Sequence, residues 1–307
     1  MSARDPLRIE SVSQIHSILG ARKPAHPLIT VINASWHPPV SLPPVMMDQQ
    51  IVSALYTVSL KQGHECGLKY GRQPYDFQEG SVMFLAPGQS VTPITEPSDL
   101  EVHGEGWTLV FHPDLIRRSP LADKMKEYTF FGYESHEALH LSDEEQQTLT
   151  SIVKRIEEEY SQRLDAHSQE LLVGHVQLLL SYCQRFYGRQ FTLRNHANLD
   201  VIARLENFLQ QYFESDKPTR EGLPTVQTCA KEMGYSPDYL SDLLKKETGK
   251  NTREHIHTFL IEKAKTRLLG SQDTISQIAY SLGFEHPQHF SKLFRSKTGK
   301  SPGEFRD

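Results

Sequence analysis

The sequence predicts an α+β chain of two domains, a β-rich N-terminal part closed off by two amphipathic helices and an all-α C-terminal third. Three observations predict it. Short β-type runs broken by Pro and Gly fill the stretch from about Pro27 to Val110. Apolar residues then recur at helical spacing over Ser142–Arg163 and Ser168–Phe186. Finally, a unit that begins at Val226 returns about fifty residues later. At 307 residues the chain exceeds one small domain, since a domain takes roughly 150 residues. Boundaries are expected at 1–140, 141–187, 188–200 and 201–307.

The β-type runs are LITVINASW (28–36), QIVSALYTVSL (50–60), GSVMFLAPG (80–88) and GWTLVF (106–111). Short strands with turn residues between them suggest a sandwich or barrel. In the first helix Leu149, Ile152, Val153, Ile156 and Tyr160 share a face; in the second, Leu171, Leu172, His175, Leu178, Leu179, Tyr182 and Phe186 do. These faces either pack within the chain or form a homodimer seam. The polar run 188–200, GRQFTLRNHANLD, lacks periodicity and reads as a linker.

Composition narrows the function classes. With 37% hydrophobic and 23% charged residues, no stretch approaches the roughly 20 apolar residues of a membrane span. The first twenty residues lack the apolar core of a secretory signal, and Cys66, Cys183 and Cys229 are odd in number and far apart, so a reducing cytoplasm is expected. The net charge of −5 argues against nucleic acid only until it is resolved along the chain. Residues 231–300 hold 12 basic against 8 acidic side chains, so the acidity lies elsewhere.

The repeat carries most of the information. Val226-x-x-Cys229-Ala230-x-x-Met233-Gly234-Tyr235 aligns with Ile275-x-x-Ile278-Ala279-x-x-Leu282-Gly283-Phe284 at an offset of 49. Leu240-Ser241-x-Leu243-Leu244-Lys245-x-x-Thr248-Gly249-Lys250 aligns with Phe290-Ser291-x-Leu293-Phe294-Arg295-x-x-Thr298-Gly299-Lys300 at an offset of 50. In the first copy Cys229, Ala230 and Met233 make an apolar face, and Gly234 falls where a helix must end and turn. Ser236-Pro237 then reads as an N-cap followed by Pro at the first helical position. Helix, glycine turn and second helix with inward residues at i, i+3 and i+4 describe a helix-turn-helix, whose second helix fits the major groove.

Between the copies Thr252–Leu269 places Ile256, Leu260, Ala264 and Leu268 at successive i+4 steps. A helix of that length spans roughly 25 Å, and one helix diameter of roughly 10 Å brings the total near one turn of DNA, ~34 Å. One chain could then read two adjacent grooves.

These residues resemble the AraC/XylS family of bacterial transcription regulators over about 200–307. The resemblance rests on the doubled unit, on Ala264-x-x-x-Leu268-Leu269, and on the run from Ile278-Ala279 and Gly283-Phe284 through Phe290-Ser291, Phe294-Arg295 and Gly299 to Ser301-Pro302 and Phe305-Arg306. The family often has Tyr where Phe305 stands. It implies a ligand-responsive activator that binds an operator in double-stranded DNA and works with RNA polymerase. Base edges would be read by Asp238, Ser241, Asp242 and Lys245 of one helix and by Pro287, Gln288, Ser291, Lys292 and Arg295 of the other. Gln288 suits adenine and Lys292 guanine, whereas Asp238 and Asp242 accept from cytosine N4 or serve only the helix N-terminus. Phosphates would meet Lys246, Lys250, Lys297 and Lys300.

For the N-terminal half, Glu79-Gly80-Ser81-Val82-x-Phe84-x-Ala86-Pro87-Gly88 is similar to the turn motif of cupin-type sensing domains, which implies a cupin-like β-barrel followed by a helical dimerisation segment. A metal-bearing cupin would need a His-x-His cluster; His64-Glu65 runs into Cys66, and His103 and His112 are nine apart, so neither metal nor cofactor is expected. Trp36, Tyr56, Tyr70 and Trp107 are the candidate walls of an effector pocket, or else core. The reading is therefore a cytoplasmic, nucleoid-associated, homodimeric regulator and not an enzyme. Two alternatives stay open: a metal-dependent cupin enzyme with an accessory DNA module, and an effector-independent regulator whose N-terminal half only dimerises.

Overall fold

The computed structural model describes residues 6–33, 49–61, 68–70, 73–75, 80–93, 106–134, 137–162, 165, 167–193 and 195–306. The chain divides into two compact units, Met1–Gln190 and Phe191–Asp307.

The first unit opens with β1 (Leu7–Ile9), α1 (Val12–Ile18) and β2 (Ile29–Asn33). Then follow β3 (Ile51–Ser53), β4 (Tyr56–Lys61), β5 (Leu68–Tyr70), β6 (Gln73–Tyr75), β7 (Ser81–Leu85), β8 (Ser90–Pro93) and β9 (Trp107–Phe111). A short α2 (Leu121–Lys124) and β10 (Leu139–His140) lead into α3 (Asp143–Ser161) and α4 (Ser168–Leu193). The strands form two five-stranded sheets, ordered β1-β3-β8-β5-β6 and β10-β7-β4-β9-β2. Among the described residues only the β1–β3 pairing is parallel.

A closed barrel was expected; among the described residues the two sheets are open. The reason lies in the alternation of side chains on the second sheet. Register puts Val31, Leu109 and Val58 opposite one another on one face, and there α3 covers them. Tyr160 Oη accepts from Val31 N at 3.0 Å, and Trp107 Nε1 donates to Thr150 Oγ1 at 3.0 Å. The other face meets the first sheet through a cluster of Ile9, Ile51, Leu55 and Val110. A sheet that buries one face on helices and the other on a second sheet is one layer in a stack rather than a barrel wall.

Both predicted amphipathic helices form. In α3 a capping box between Ser142 and Glu145 fixes the start, and Leu149, Ile152, Val153, Ile156 and Tyr160 are all buried. In α4 the predicted stripe splits. Leu172, Leu179 and Phe186 are buried, whereas Leu171 and Leu178 keep 49% and 45% of their surface exposed.

The second unit is all-helical: α5 (Asn195–Glu214), α6 (Lys217–Glu221), α7 (Val226–Met233), α8 (Pro237–Thr248), α9 (Thr252–Gly270), α10 (Ile275–Ser281), α11 (Pro287–Thr298) and α12 (Pro302–Arg306). Residues 188–200, which lack apolar periodicity, contribute to the end of α4 and the start of α5. On α5, Leu205, Leu209, Tyr212 and Phe213 are buried. Among the described residues no helix is long and apolar enough to cross a membrane.

Candidate nucleic-acid interface

Two helix pairs, α7–α8 and α10–α11, repeat the same construction. Thr225 and Thr274 cap the first helices, accepting from the backbone N–H of Thr228 and Gln277. Cys229, Ala230 and Met233 are buried in one pair and Ile278, Ala279 and Leu282 in the other. Ala230 and Ala279 are the buried small residues at equivalent positions of the two pairs. Gly234 and Gly283 then take positive φ, 78° and 94°.

The two turn glycines are not equivalent. At Gly234 an added Cβ would meet nothing within 4 Å, so only the left-handed backbone requires glycine. At Gly283 it would lie 2.9 Å from the carbonyl carbon of Gly222 and 2.9 Å from the carbonyl oxygen of Pro218. The turn of the second pair is thus seated on the segment that precedes the first pair. Tyr212 Oη holds that segment by donating to the Gly222 carbonyl at 3.0 Å.

Both second helices begin with Pro and run for 12 residues. On α8 the inward side chains Tyr239, Leu240, Leu243 and Leu244 are buried; on α11 they are Phe290 and Phe294. Phe294 meets Phe290 at 5.7 Å and Phe305 at 5.4 Å between ring centroids. Each second helix ends in the same latch. Gly249 and Gly299 are left-handed, and the preceding Thr248 and Thr298 hydroxyls bond back to Leu244 and Phe294 carbonyls at 2.8 Å. The hydroxyls also accept from the N–H of Lys250 and Lys300. A capping box follows each time, Asn251 with Glu254 and Ser301 with Glu304.

Between the pairs, α9 buries Ile256, Leu260, Ala264 and Leu268, the four residues expected at i+4 steps. Leu269 beside them stays 66% exposed. Arg306 bonds the carbonyls of Leu268 and Asp273, so this residue of the terminal motif ties α12 to the end of α9.

The side chains expected to face DNA are distributed unevenly. Asp238 and Lys245 on α8 and Gln288, Lys292 and Arg295 on α11 are exposed; Ser241, Asp242, Pro287 and Ser291 are half-buried. Ser241 Oγ lies 3.0 Å from Thr252 Oγ1, which ties it to the first turn of α9. Partial desolvation and then the neighbouring Asp242 push the Asp238 carboxyl above the ordinary carboxylate range. Lys246, Lys250, Lys297 and Lys300 are all exposed.

Sequence reasoning missed a set of histidines beside these helices. His286 and His289, exposed at the start of α11, lie 5.4 Å apart edge to face. Their i, i+3 spacing at the opening of a groove-facing helix was the available signal. On α9, burial and then the positive charges of Lys297 and Arg253 lower the pKa of His257. Burial and Lys250 do the same to His255, whose Nε2 lies 2.7 Å from Thr248 Oγ1. Lys297 of α11 and Arg253 of α9 are thus near enough to hold the His257 imidazole toward its neutral form.

Of the pocket candidates, Tyr56 stacks on Phe111 at 5.0 Å and meets Phe131 edge-on at 5.1 Å. By register it lies on the same face of the sheet as Trp107, which is buried and bonded to α3. Trp36 and the Tyr70 side chain lie outside the described residues, as do Cys66, His64, His103 and Glu79.

Residues 229–307 match a family model described as a helix-turn-helix domain. Among curated proteins, the chain is 25% identical over 155 residues to YijO of Escherichia coli (strain K12), described as an HTH-type transcriptional regulator; the match covers 50% of this chain and 51% of that protein. It is 32% identical over 144 residues to the Msm operon regulatory protein of Streptococcus mutans, covering 47% and 49%. The chain thus spans about half the length of these relatives. Among solved structures, it is similar to the C-terminal domain of AraT, a response regulator from Geobacillus stearothermophilus, at 27% identity and a TM-score of 0.31, over 34% of this chain and 83% of that one.

Proposed function

We propose that the chain, with a C-terminal helix-turn-helix domain of the AraC/XylS type, is a sequence-specific DNA-binding transcription regulator. The observation that carries this is the doubled helix pair with its shared latch. Two second helices of equal length, each opened by Pro and closed by a left-handed Gly and a Lys, present polar outer faces. A tandem hairpin used only for packing would not need those faces. Lys292 and Arg295 suit guanine, Gln288 suits adenine, and Lys246, Lys250, Lys297 and Lys300 suit phosphate. Footprinting the purified chain on genomic fragments tests the reading. Two protected patches on one side of the duplex, about one turn apart, are expected. A single short patch, or none, would overturn it.

The N-terminal unit is read as an opened relative of the cupin architecture with a sensing role, and the whole as a cytoplasmic, homodimeric, ligand-responsive activator acting with RNA polymerase. The seam is assigned to α4. Leu171, Gly174 and Leu178 are exposed at heptad-like spacing, with Glu170 exposed at one end of the stripe and Arg185 at the other. Two copies of α4 packed antiparallel would set each Glu170 against the other copy's Arg185, which is the self-complementarity a two-fold contact requires. A thermal-shift screen of metabolites tests the sensing role, since a ligand at 100 times its Kd stabilises by about 2.7 kcal/mol.

A further inference from the structure

The two second helices are built alike but carry opposite chemistry. Aligned from their opening prolines, Asp238 stands where Gln288 stands, Asp242 where Lys292 stands, and Glu247 where Lys297 stands. Only the Lys245 and Arg295 positions are basic in both. Within residues 237–248, α8 holds three carboxylates against two lysines; within residues 287–298, α11 holds three cations and no carboxylate. Both helices start at Pro and end at a left-handed Gly, so equivalent positions sit at the same depth along each helix.

Hydrogen-bonding capacity separates the two further. An ionised carboxylate only accepts, and its major-groove partners are the exocyclic amino groups, N4 of cytosine and N6 of adenine. Guanine and thymine turn acceptors toward it. Lysine and arginine only donate, and they favour guanine O6 and N7. Asp238 and Asp242, four apart on one helix, lie about 6 Å apart along its axis. That span allows two amino groups on neighbouring base pairs to be met from one helix.

We propose that the two reading helices take chemically different half-sites: α11 a purine step rich in guanine, and α8 a step that turns amino groups, cytosine first, toward Asp238 and Asp242. The inference rests on the DNA-binding reading above. In it α11 supplies most of the affinity, because its cations are attracted to any phosphate backbone. The α8 carboxylates, repelled by that backbone, are tolerated only where amino donors repay their desolvation. They make α8 a discriminator against wrong sequence rather than a source of binding energy.

Selection of bound duplexes from a random library, run with the full chain and with its D238A and D238N variants, tests this. The wild-type chain is expected to enrich two unlike blocks about one helical turn apart, one with cytosine at fixed positions. D238A should lose about tenfold or more of the preference at one such position, the worth of one good base contact, with the other block unchanged. D238N should shift that position toward adenine, since an amide pairs with N6 and N7 together. A cytosine preference equally strong in all three proteins would overturn the proposal, as would two like, guanine-rich blocks. Enrichment of no sequence by the wild-type chain would instead bring down the DNA-binding reading, and this inference with it.

Discussion

Gly283 and Gly222 meet backbone to backbone, so closely that a Cβ on Gly283 would stand 2.9 Å from the Gly222 carbonyl carbon. One contact joins the turn of the second helix pair to the chain just ahead of the first. Ala at 283 should therefore cost more than Ala at 234, where strain of about 1–2 kcal/mol from the left-handed backbone is the whole penalty. Urea unfolding of the two variants gives the comparison. Equal losses would mean that the segment around Gly222 moves aside freely.

Lys292 and Lys300 should separate base reading from charge. Replacing Lys292 by Ala is expected to weaken operator binding by about tenfold while leaving random duplex much less affected. Replacing Lys300, presented by the Thr298–Gly299 latch, should weaken both alike and lower the slope of log affinity against log salt by about one. Titrations on both duplexes at several salt concentrations read the difference.

Charge reversal probes the α4 seam. E170R alone or R185E alone should shift the full chain toward monomer in sedimentation, and the double variant should restore association. L178E should abolish it in either background. A chain that stays dimeric throughout would move the seam elsewhere.

Acidification should destabilise the second unit through His255 and His257. Burial and neighbouring cations hold both below the ordinary imidazole value of 6.5, so the folded state prefers them neutral. Stability from this source is present above the unfolded pKa and is lost as pH falls through 6.5 toward the lowered folded values. Imidazole titration by NMR should place both midpoints below 6.5, and replacing both with Gln should flatten the loss of stability over that range. Asp238, whose charged form is disfavoured by the same desolvation and by Asp242 beside it, shifts upward instead and works against this trend.

Cys183 and Cys229 should resist thiol reagents in the folded chain. Both are fully buried, and desolvation pushes the Cys229 thiol up to about 12 and raises Cys183 as well. Mass-spectrometric mapping after alkylation at neutral pH should find them labelled only once the chain is unfolded.

The second unit was legible because its signals are local and doubled. Ala230 and Gly234 in one copy and Ala279 and Gly283 in the other mark the same crossing and the same turn, and α9 shows its buried face at plain i+4 spacing. The contact of Gly283 with Gly222 was not legible, since about sixty positions separate the two and neither side carries a pattern. In the first unit the amphipathic helices were readable from their periodicity. The longer strands were readable too, since Ile29–Asn33, Tyr56–Lys61, Ser81–Leu85 and Trp107–Phe111 fall in the β-type runs. The sheet arrangement was not: strands such as Leu7–Ile9 and Gln73–Tyr75 hold three residues each, too few to show alternation. Tyr56 and Trp107 illustrate the consequence. An aromatic residue on a strand reads the same whether it faces a ligand or a helix, and register alone puts these two on the helix side.

The latch that closes α8 and α11 has an evolutionary corollary. Thr-Gly-Lys and the capping box that follows fix where each helix stops without involving any outward side chain. Inward packing differs, leucine in one half and phenylalanine in the other. Outer positions other than Ser241, which is tied to Thr252, can therefore change without disturbing the scaffold, and each half is free to drift toward new targets while its twin keeps the old one.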